Sequence, residues 1–215
     1  MNSSTISATY WKVWWALIGP PWSGKSTLAR IISERCPKYR YHDHDDDWLD
    51  PTIQTKLWHS SIDDAVKKMG DQAFLQFEWK FTIENYGRAD ENPKFSLDGV
   101  LFASSGSLVR SEKAIEHIRE RTYIILLDVP INTVLDQIRK RQWGAWRIIG
   151  INGWPNGEEP KHKSLEDELR FRYELYQTYQ DSILEHHPGE IPNKTAQRLL
   201  VHYGTERKGG FAANY

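Results

Sequence analysis

Apolar residues follow two alternating patterns along this chain, one typical of buried strands and the other of helices. Continuous apolar runs at 13–19, 98–104 and 122–130 have the length expected of strands covered on both faces. Between and after these runs, apolar residues recur at helical spacing. The predicted helices are 25–36, 52–69, 71–86, 112–120, 131–142 and 165–185. Strands that alternate with helices predict a parallel sheet with helices on both faces.

Two weaker strands and a last helix complete the predicted order. The stretch "KYRYHDHDDDWLD" predicts a brief strand that ends in an acidic loop, and "GEIPN" predicts a weak final strand before a helix at 195–203. The fold class is therefore α/β, a three-layer sandwich around a parallel sheet of about five strands. Ligands of such sheets bind beyond the carboxyl ends of the strands, where the sequence has Gly19, Asp43, Ser104 and Asp128.

The length of 215 residues fits one compact domain, predicted at 11–204. Residues 1–10 are polar and are expected to be disordered, and 205–215 are expected to form a flexible tail. A segment rich in glycine, tryptophan and proline separates two predicted helices, and it predicts a mobile lid at about 143–163.

Charge and cysteine content limit the classes of partner. The formal net charge of −1 gives no global basic field for binding nucleic acid or an anionic membrane. The single cysteine, Cys36, excludes an internal disulfide and suits a reducing compartment. No apolar run approaches the ~18 residues that span a bilayer, and the N-terminus has no secretory signal pattern. We expect a cytoplasmic monomer or homodimer that acts on a small molecule.

The stretch "ALIGPPWSGKSTLARII" contains the motif G-x-x-x-x-G-K-[ST], in which Gly19, Gly24, Lys25 and Ser26 occupy the fixed positions. Backbone N–H groups of such a loop surround phosphate, the lysine reaches the β- and γ-phosphates, and the serine hydroxyl binds Mg²⁺. A predicted strand precedes the motif and a predicted helix follows it. The motif therefore predicts binding of a nucleoside triphosphate with Mg²⁺. The predicted nucleotide-binding residues are Gly19, Pro20, Pro21, Trp22, Ser23, Gly24, Lys25, Ser26, Thr27 and Arg141.

The remaining sequence favours a small-molecule kinase among proteins with this loop. A GTPase needs Asn-Lys-x-Asp after a late strand, and "PNKTAQ" has Ala196 in the aspartate position. The chain is shorter than a motor or transporter ATPase, and a glycine-rich interval before a long helix is typical of a kinase with a closing lid.

Five further segments resemble the shikimate kinase family in order and approximate spacing. They are "YHDHD", "MGDQAFLQFE", "DGVLFASSGSLVRSE", "YIILLDVP" and "LEDELRFRYELY". The resemblance extends over about 13–203. It implies a P-loop NTPase fold with a mobile lid, and transfer of the γ-phosphoryl group of ATP, with Mg²⁺, to a substrate hydroxyl.

The resemblance also implies roles for individual residues. Asp43 would hold the Mg²⁺ shell together with Ser26 and lie near the attacking hydroxyl, and Asp45 would bind substrate hydroxyls. Arg172 would contact the substrate, and Arg147 in the lid would neutralise charge in the transition state. The predicted catalytic residues are Lys25, Asp43 and Arg147.

Two histidines and a tryptophan beside these residues leave alternatives open. His42 and His44 flank Asp43, where a transition-metal site is conceivable but incidental histidines are commoner. Trp22, inside the phosphate loop, is expected to pack on the lid or on the nucleotide.

The predicted substrate-binding residues depart from the family pattern. The family has an arginine that grips the substrate carboxylate in F-R-x-x-E, whereas this chain has Leu75 in "FLQFE". The family's triple-glycine turn is Ser104, Ser105 and Gly106 here. A leucine cannot replace a bidentate arginine contact, although Leu75 could instead be a core residue of its helix.

The sequence therefore predicts a kinase for a hydroxyl-bearing metabolite such as a polyol, sugar or nucleoside-like molecule. The alternatives are an authentic shikimate kinase with a rearranged anion clamp, a nucleoside or nucleotide kinase, and a nucleotide-binding module without catalysis.

Overall fold

The computed structural model describes residues 13–37, 39–47, 68–86, 99–120, 122–140, 164–187 and 189–211. The strands are β1 (Val13–Ile18), β2 (Tyr39–Asp43), β3 (Gly99–Ala103), β4 (Tyr123–Asp128) and β5 (Ser182–Glu185). The helices are α1 (Lys25–Arg35), α2 (His44–Asp47), α3 (Asp71–Tyr86), α4 (Glu112–Arg119), α5 (Ile131–Lys140), α6 (Leu165–Tyr179) and α7 (Pro192–Phe211), with a 3₁₀ turn at Leu108–Arg110.

The five strands form one parallel sheet in the order β2-β3-β1-β4-β5. The central strands β1, β3 and β4 are the three continuous apolar runs of the sequence, because a strand with neighbours and helices on both faces meets almost no water. This arrangement confirms the predicted α/β fold. All five carboxyl ends lie at one edge of the sheet, and that edge carries the site.

Alternate residues of the central strands supply two separate cores. Ala16, Ile18 and Phe102 pack with residues of α3, α4 and α6 on one face. Trp15 and Leu17 pack with residues of α1 and α7 on the other face. Successive side chains of a strand point to opposite faces, so two buried faces require the three layers that the sequence predicted.

Three predicted elements near the C-terminus and after β2 were wrong. Helix α6 ends at Tyr179, and 182–185, predicted as its last turn, form strand β5. "GEIPN" is not a strand, since Pro192 begins α7, which continues to Phe211 into the segment expected to be a flexible tail. The acidic segment after β2 is the short helix α2 rather than a loop.

A pair of hydrogen bonds explains the strand at 182–185. The Asp181 carboxylate accepts the Ile124 backbone N–H at 2.8 Å, and the Asp181 N–H donates to the Ile124 carbonyl at 2.9 Å. These contacts with β4 satisfy backbone groups that a continued helix would have paired internally.

Several predictions lie outside the described residues. They are the N-terminal segment 1–10, most of the helix at 52–69, the lid at 143–163, Arg141 and Arg147. Within the described helices, none has the length and apolar content needed to cross a membrane.

Candidate active site

The loop between β1 and α1 has the backbone geometry that its two motif glycines predict. Gly24, the N-cap of α1, has φ of 90°, which a glycine adopts at little cost. A Cβ atom added to Gly19 would lie 2.9 Å from the Leu127 carbonyl oxygen of β4. The loop is therefore closely seated on the sheet edge, with α1 beginning at Lys25.

The Lys25 amino group is buried inside this loop. Its Nζ donates to the carbonyl oxygens of Gly19 at 3.0 Å and Pro20 at 2.8 Å, and lies 3.4 Å from Ser23 Oγ. Burial lowers the pKa of Lys25 to about 8, while the carboxylates of Asp45 and Asp43 act in the opposite direction. The amine is thus held at the loop centre, where a phosphate would offer it a stronger acceptor than the carbonyls.

Two acidic residues reach the same edge from β2. Asp43 is the last residue of β2 and is buried, and its Oδ1 accepts the Asp45 backbone N–H at 3.0 Å. Asp45 is exposed on α2. Lys25 follows the end of β1 and Asp43 ends β2, so the structure brings residues predicted from two separate segments to the same edge of the sheet.

Ser26 and Asp43 fit a bound Mg²⁺. Ser26 is exposed in the first turn of α1, Thr27 beside it is half-buried, and Asp43 offers a carboxylate at the end of β2. Mg²⁺ prefers oxygen ligands and takes few of them from protein, the rest coming from water and substrate phosphates. In the described parts of the chain, no cluster of three or more His, Cys, Asp or Glu side chains could hold a metal by itself.

The turn after β3 forms a wall of the site beside the phosphate loop. The Ser104 N–H donates to the Leu17 carbonyl at 3.0 Å, which extends the β1–β3 pairing by one residue. Ser104 and Ser105 are buried, and Gly106 is half-buried. The Gly106 carbonyl accepts the Tyr176 hydroxyl at 2.6 Å and Arg172 Nη1 at 3.0 Å, so α6 fixes this turn.

Glu78 on α3 is a central member of the wall that the sequence prediction missed. Its side chain is 1 % exposed, and its Oε1 accepts hydrogen bonds from Ser105 Oγ at 2.5 Å and Ser107 Oγ at 2.8 Å. Burial raises the pKa of Glu78 to about 7, although the two serine hydrogen bonds and Arg172 oppose that shift. The nearby Asp45 carboxylate adds to the shift, so Glu78 and the acidic segment share one site.

His44 anchors the acidic segment to this wall. Its ring is fully buried, with Nε2 3.1 Å from Thr82 Oγ1 and Nδ1 3.8 Å from Glu78 Oε1. The rings of Phe81 and Phe102 pack against it. His44 therefore holds the start of α2, and with it Asp43 and Asp45, against α3 and β3.

Arg172, a predicted substrate-binding residue, is 2 % exposed and has an acidic partner on its own helix. Its Nε donates to Glu168 Oε1 at 2.6 Å, and Arg110 Nη1 lies 3.6 Å from the same oxygen. Its Nη1 donates to the Gly106 carbonyl at 3.0 Å, so Arg172 lies beside the turn after β3. Glu168 thus pairs with two guanidinium groups, those of Arg172 and Arg110.

Leu75, the residue in the family's arginine position, is half-buried on α3. It lies three residues before Glu78, so the two side chains share one side of the helix. The substituted position and the buried glutamate are thus neighbours.

Trp22 joins the phosphate loop to the helices on either side of 141–163. It packs against an apolar cluster that includes Val134 and Ile138 of α5 and Leu165 and Leu169 of α6. The structure shows it packed on these helices, whereas its expected contact with lid or nucleotide stays a prediction.

The end of β4, another strand end at this edge, contacts a tyrosine of α6. Tyr173 of α6 donates a short hydrogen bond to Asp128 Oδ1. Burial, together with this carboxylate, raises the pKa of the Tyr173 hydroxyl. The carboxylate at the end of β4 thus has a structural partner.

Two sequence signals could have identified Glu78. The first is that Glu78 is the glutamate of "FLQFE", the segment that matches the F-R-x-x-E pattern. The second is its place among the apolar residues of α3. Phe74, Phe77 and Phe81 mark an apolar side of α3, and Glu78 is a charged residue within it. A buried carboxylate needs hydrogen-bond partners, so its position indicates a polar cluster at that point. No comparable signal marks Ser107 or Tyr176, whose partners lie far away in the sequence.

Comparison with known proteins agrees with this geometry. The profile described as shikimate kinase matches residues 21–202. The chain belongs to the shikimate kinase family. As a member of this family it has a P-loop kinase fold, and the resemblance inferred from the five sequence segments is confirmed.

Individual relatives of this shikimate kinase family member extend the comparison. The shikimate kinase of Clostridium beijerinckii is 24% identical over 190 residues, covering 85% of this chain and 92% of that protein. A solved structure, shikimate kinase from Acinetobacter baumannii in complex with shikimate, superposes with a TM-score of 0.66. At 19% identity over 92% of this chain and 97% of that one, it shows the shared fold.

Threonine synthase-like 1 of Homo sapiens is 27% identical over 184 residues, which cover 86% of this chain. The match spans only 21% of that longer protein. The family member described here thus corresponds to one part of that relative.

Proposed function

We propose that the protein is a kinase that uses ATP and Mg²⁺ to phosphorylate a hydroxyl group of a small metabolite. The observation that supports this proposal is the position of Lys25, Asp43 and Asp45 after the carboxyl ends of two parallel strands of one sheet. A buried amine in a phosphate loop faces two carboxylates that reach the edge on another strand. This arrangement suits phosphoryl transfer, which depends mainly on positioning and charge neutralisation.

The roles follow from the position of each group. Lys25 and the loop N–H groups would bind the terminal phosphates, and Ser26 with Asp43 would hold Mg²⁺. The metal would neutralise charge on the phosphates. Asp43 or Asp45 would orient the acceptor hydroxyl and take its proton. Arg147 would close over the transferring group and Arg141 would flank the adenine, both as predicted from the sequence.

Shikimate is a poor candidate for the acceptor. The half-buried Leu75 has no group that binds a carboxylate, and Arg172 already pairs with Glu168 at 2.6 Å. A carboxylate at this end would also face the acidic side chains of Asp45 and Glu78. These observations favour an acceptor with less negative charge there.

A coupled assay of ADP release with a panel of shikimate, sugars, polyols, nucleosides and amino acids tests the proposal. We expect Mg²⁺-dependent transfer to a hydroxyl compound other than shikimate. Calorimetric titration with ATP, run in parallel, separates binding from turnover. Tight ATP binding without transfer to any compound would favour a nucleotide-binding module, and robust turnover of shikimate would contradict its exclusion.

A further inference from the structure

The hydroxyl protons of Ser105 and Ser107, in the turn after β3, are already used in hydrogen bonds. Ser105 and Ser107 both donate to Glu78 Oε1, at 2.5 and 2.8 Å. A serine hydroxyl has one proton, so the Ser105 oxygen is left with acceptor capacity only. A ligand that meets Ser105 must therefore present a hydrogen-bond donor.

The second oxygen of Glu78 has the same requirement when the carboxyl group is ionised. Glu78 Oε2 is buried and accepts no hydrogen bond from the described residues. A buried polar atom without a partner carries a free-energy penalty that a ligand donor removes on binding. Asp45, whose carboxylate acts on Glu78, adds further acceptor oxygens on the same side of the site.

The Arg172 guanidinium does not offset this excess of hydrogen-bond acceptors. Two of the donor atoms of Arg172, Nε and Nη1, are engaged by Glu168 and by the Gly106 carbonyl. Glu168 pairs with Arg172 in a buried setting, where separating the pair would be costly. The wall formed by Glu78, Asp45 and Ser105, named here the acceptor-rich wall, thus offers a ligand mainly acceptor oxygens, while Lys25 of the phosphate loop acts on Asp45 alone among the three.

We propose that the phosphate acceptor is a neutral polyhydroxylated compound, one hydroxyl of which donates to Glu78 Oε2. This inference rests on the proposed kinase function and names the substrate class. A carboxylate would bring oxygen lone pairs against the lone pairs of the acceptor-rich wall. An ammonium group would have to lose its hydration on entering this buried site, which is costly for a charged group. A hydroxyl donates a hydrogen bond and brings no charge into the site.

Matched ligands that differ in one group test the charge preference. Shikimate and its carboxamide share one ring and its hydroxyls, and an amine-bearing analogue provides the cationic member. Their dissociation constants for the wild-type protein, loaded with Mg²⁺ and a non-hydrolysable ATP analogue, are measured by calorimetry beside neutral polyols such as myo-inositol and ribitol. We expect a neutral compound to bind about tenfold or more tightly than the carboxylate, the effect of about one hydrogen bond.

Glu78→Gln tests the assigned atom. A glutamine keeps one oxygen for Ser105 and Ser107 and replaces Oε2 by an N–H donor, which reverses the preference at that atom. We expect neutral compounds to bind about tenfold more weakly and the carboxylate to bind no worse than before. Glu116→Gln, which changes an exposed glutamate on α4, is the matched control and should leave every dissociation constant unchanged.

Each outcome bears on one proposal. Tighter binding of shikimate or of the amine by the wild type overturns the neutral assignment, as does the failure of every neutral polyol to bind. These ligand comparisons need no variant, so they decide the matter even if Glu78→Gln does not fold. A neutral compound that binds but is not phosphorylated contradicts the kinase function and leaves the binding preference supported.

Discussion

Gly106 lies so close to Pro21 that a Cβ atom added to it would be 3.0 Å from the proline Cγ. The turn after β3, which carries Ser105 of the acceptor-rich wall, therefore contacts the phosphate loop directly. In Gly106→Ala the methyl group has to displace the ring of Pro21, and with it the loop that binds phosphate. We expect ATP affinity to fall by about three- to tenfold, as for a small overpacking, when measured by calorimetry.

A double-mutant cycle tests whether the Pro21 ring is the cause. Pro21→Ala removes the Cγ and Cδ atoms that the new methyl group would meet. In the Pro21→Ala background, Gly106→Ala should therefore have a much smaller effect on ATP affinity. Equal effects in both backgrounds would show that the contact does not couple the wall to the loop.

Lys25→Ala should abolish phosphoryl transfer while the protein stays folded. The variant removes the amine that the loop holds at its centre, and loss of one such preorganised donor costs about 10²- to 10³-fold in kcat. Circular dichroism and thermal unfolding check the fold, and the ADP-release assay checks turnover. Lys113→Ala, on an exposed residue of α4, is the control, and unchanged activity in Lys25→Ala would overturn the site assignment.

The buried Glu78 should make stability depend on pH. Its pKa rises from 4.5 in the unfolded chain to about 7 in the folded protein, so the folded state holds a proton that the unfolded state releases between these values. This contribution is fully present below pH 4.5 and is lost as pH rises through about 7, a change of about 3 kcal/mol at most. The groups that face Glu78 are His44, Asp45, Ser105, Ser107 and Arg172.

Glu78→Gln isolates the contribution of Glu78 to the pH dependence of stability, because glutamine does not titrate. The free energy of unfolding in urea, measured from pH 5 to 8, should decline less steeply in this variant than in the wild type. The exposed Glu116→Gln should follow the wild-type curve. Parallel curves for wild type and Glu78→Gln would mean that Glu78 is already ionised at pH 5.

The ion pair of Arg172 and Glu168 predicts a structural cost for removing the arginine. Both side chains are almost fully buried, and Arg172→Leu leaves the Glu168 carboxylate without its closest partner. We expect a loss of about 3–5 kcal/mol in the free energy of unfolding. Arg172→Leu combined with Glu168→Leu should be milder than the single variant, and urea titrations compare them. An additive result would show that the two charges do not depend on each other.

Leu75→Arg should bring back carboxylate binding. A guanidinium at position 75 would share one side of α3 with Glu78 and offer two parallel N–H donors to an anion. The affinity for shikimate should rise at least about tenfold, as expected of a charge-assisted contact. Leu75→Met keeps the size and apolar character and serves as the control. No gain in Leu75→Arg would show that residue 75 does not line the acceptor site.

Most of the fold could be predicted because its signals are local. Continuous apolar runs predicted the three central strands, and the helical spacing at 71–86 and 131–142 predicted α3 and α5 almost to their ends. The edge strand β5 was missed because "SILE" is short and follows a helix, and its strand conformation depends on pairing with β4. Short apolar segments carry no periodicity that separates helix from strand.

The site could be predicted in part for the same reason. The motif glycines, Lys25 and the acidic residues after β2 are visible because each sits in a local pattern. The contact between Glu78 and Ser105 joins residues of different segments, and the residue spacing within either segment does not predict it.

The sequence by itself predicted the α/β fold that the structure confirms, and a P-loop site for nucleotide phosphates that stays a prediction, since a loop motif and apolar periodicity are properties of neighbouring residues. Only the tertiary structure decided which chemical groups lie on the side of the site proposed to bind the substrate. There, burial raises the pKa of Glu78, and folding directs the Ser105 and Ser107 hydroxyls onto that carboxyl group. The physical reason is that desolvation and hydrogen-bond direction depend on which side chains the completed fold brings together.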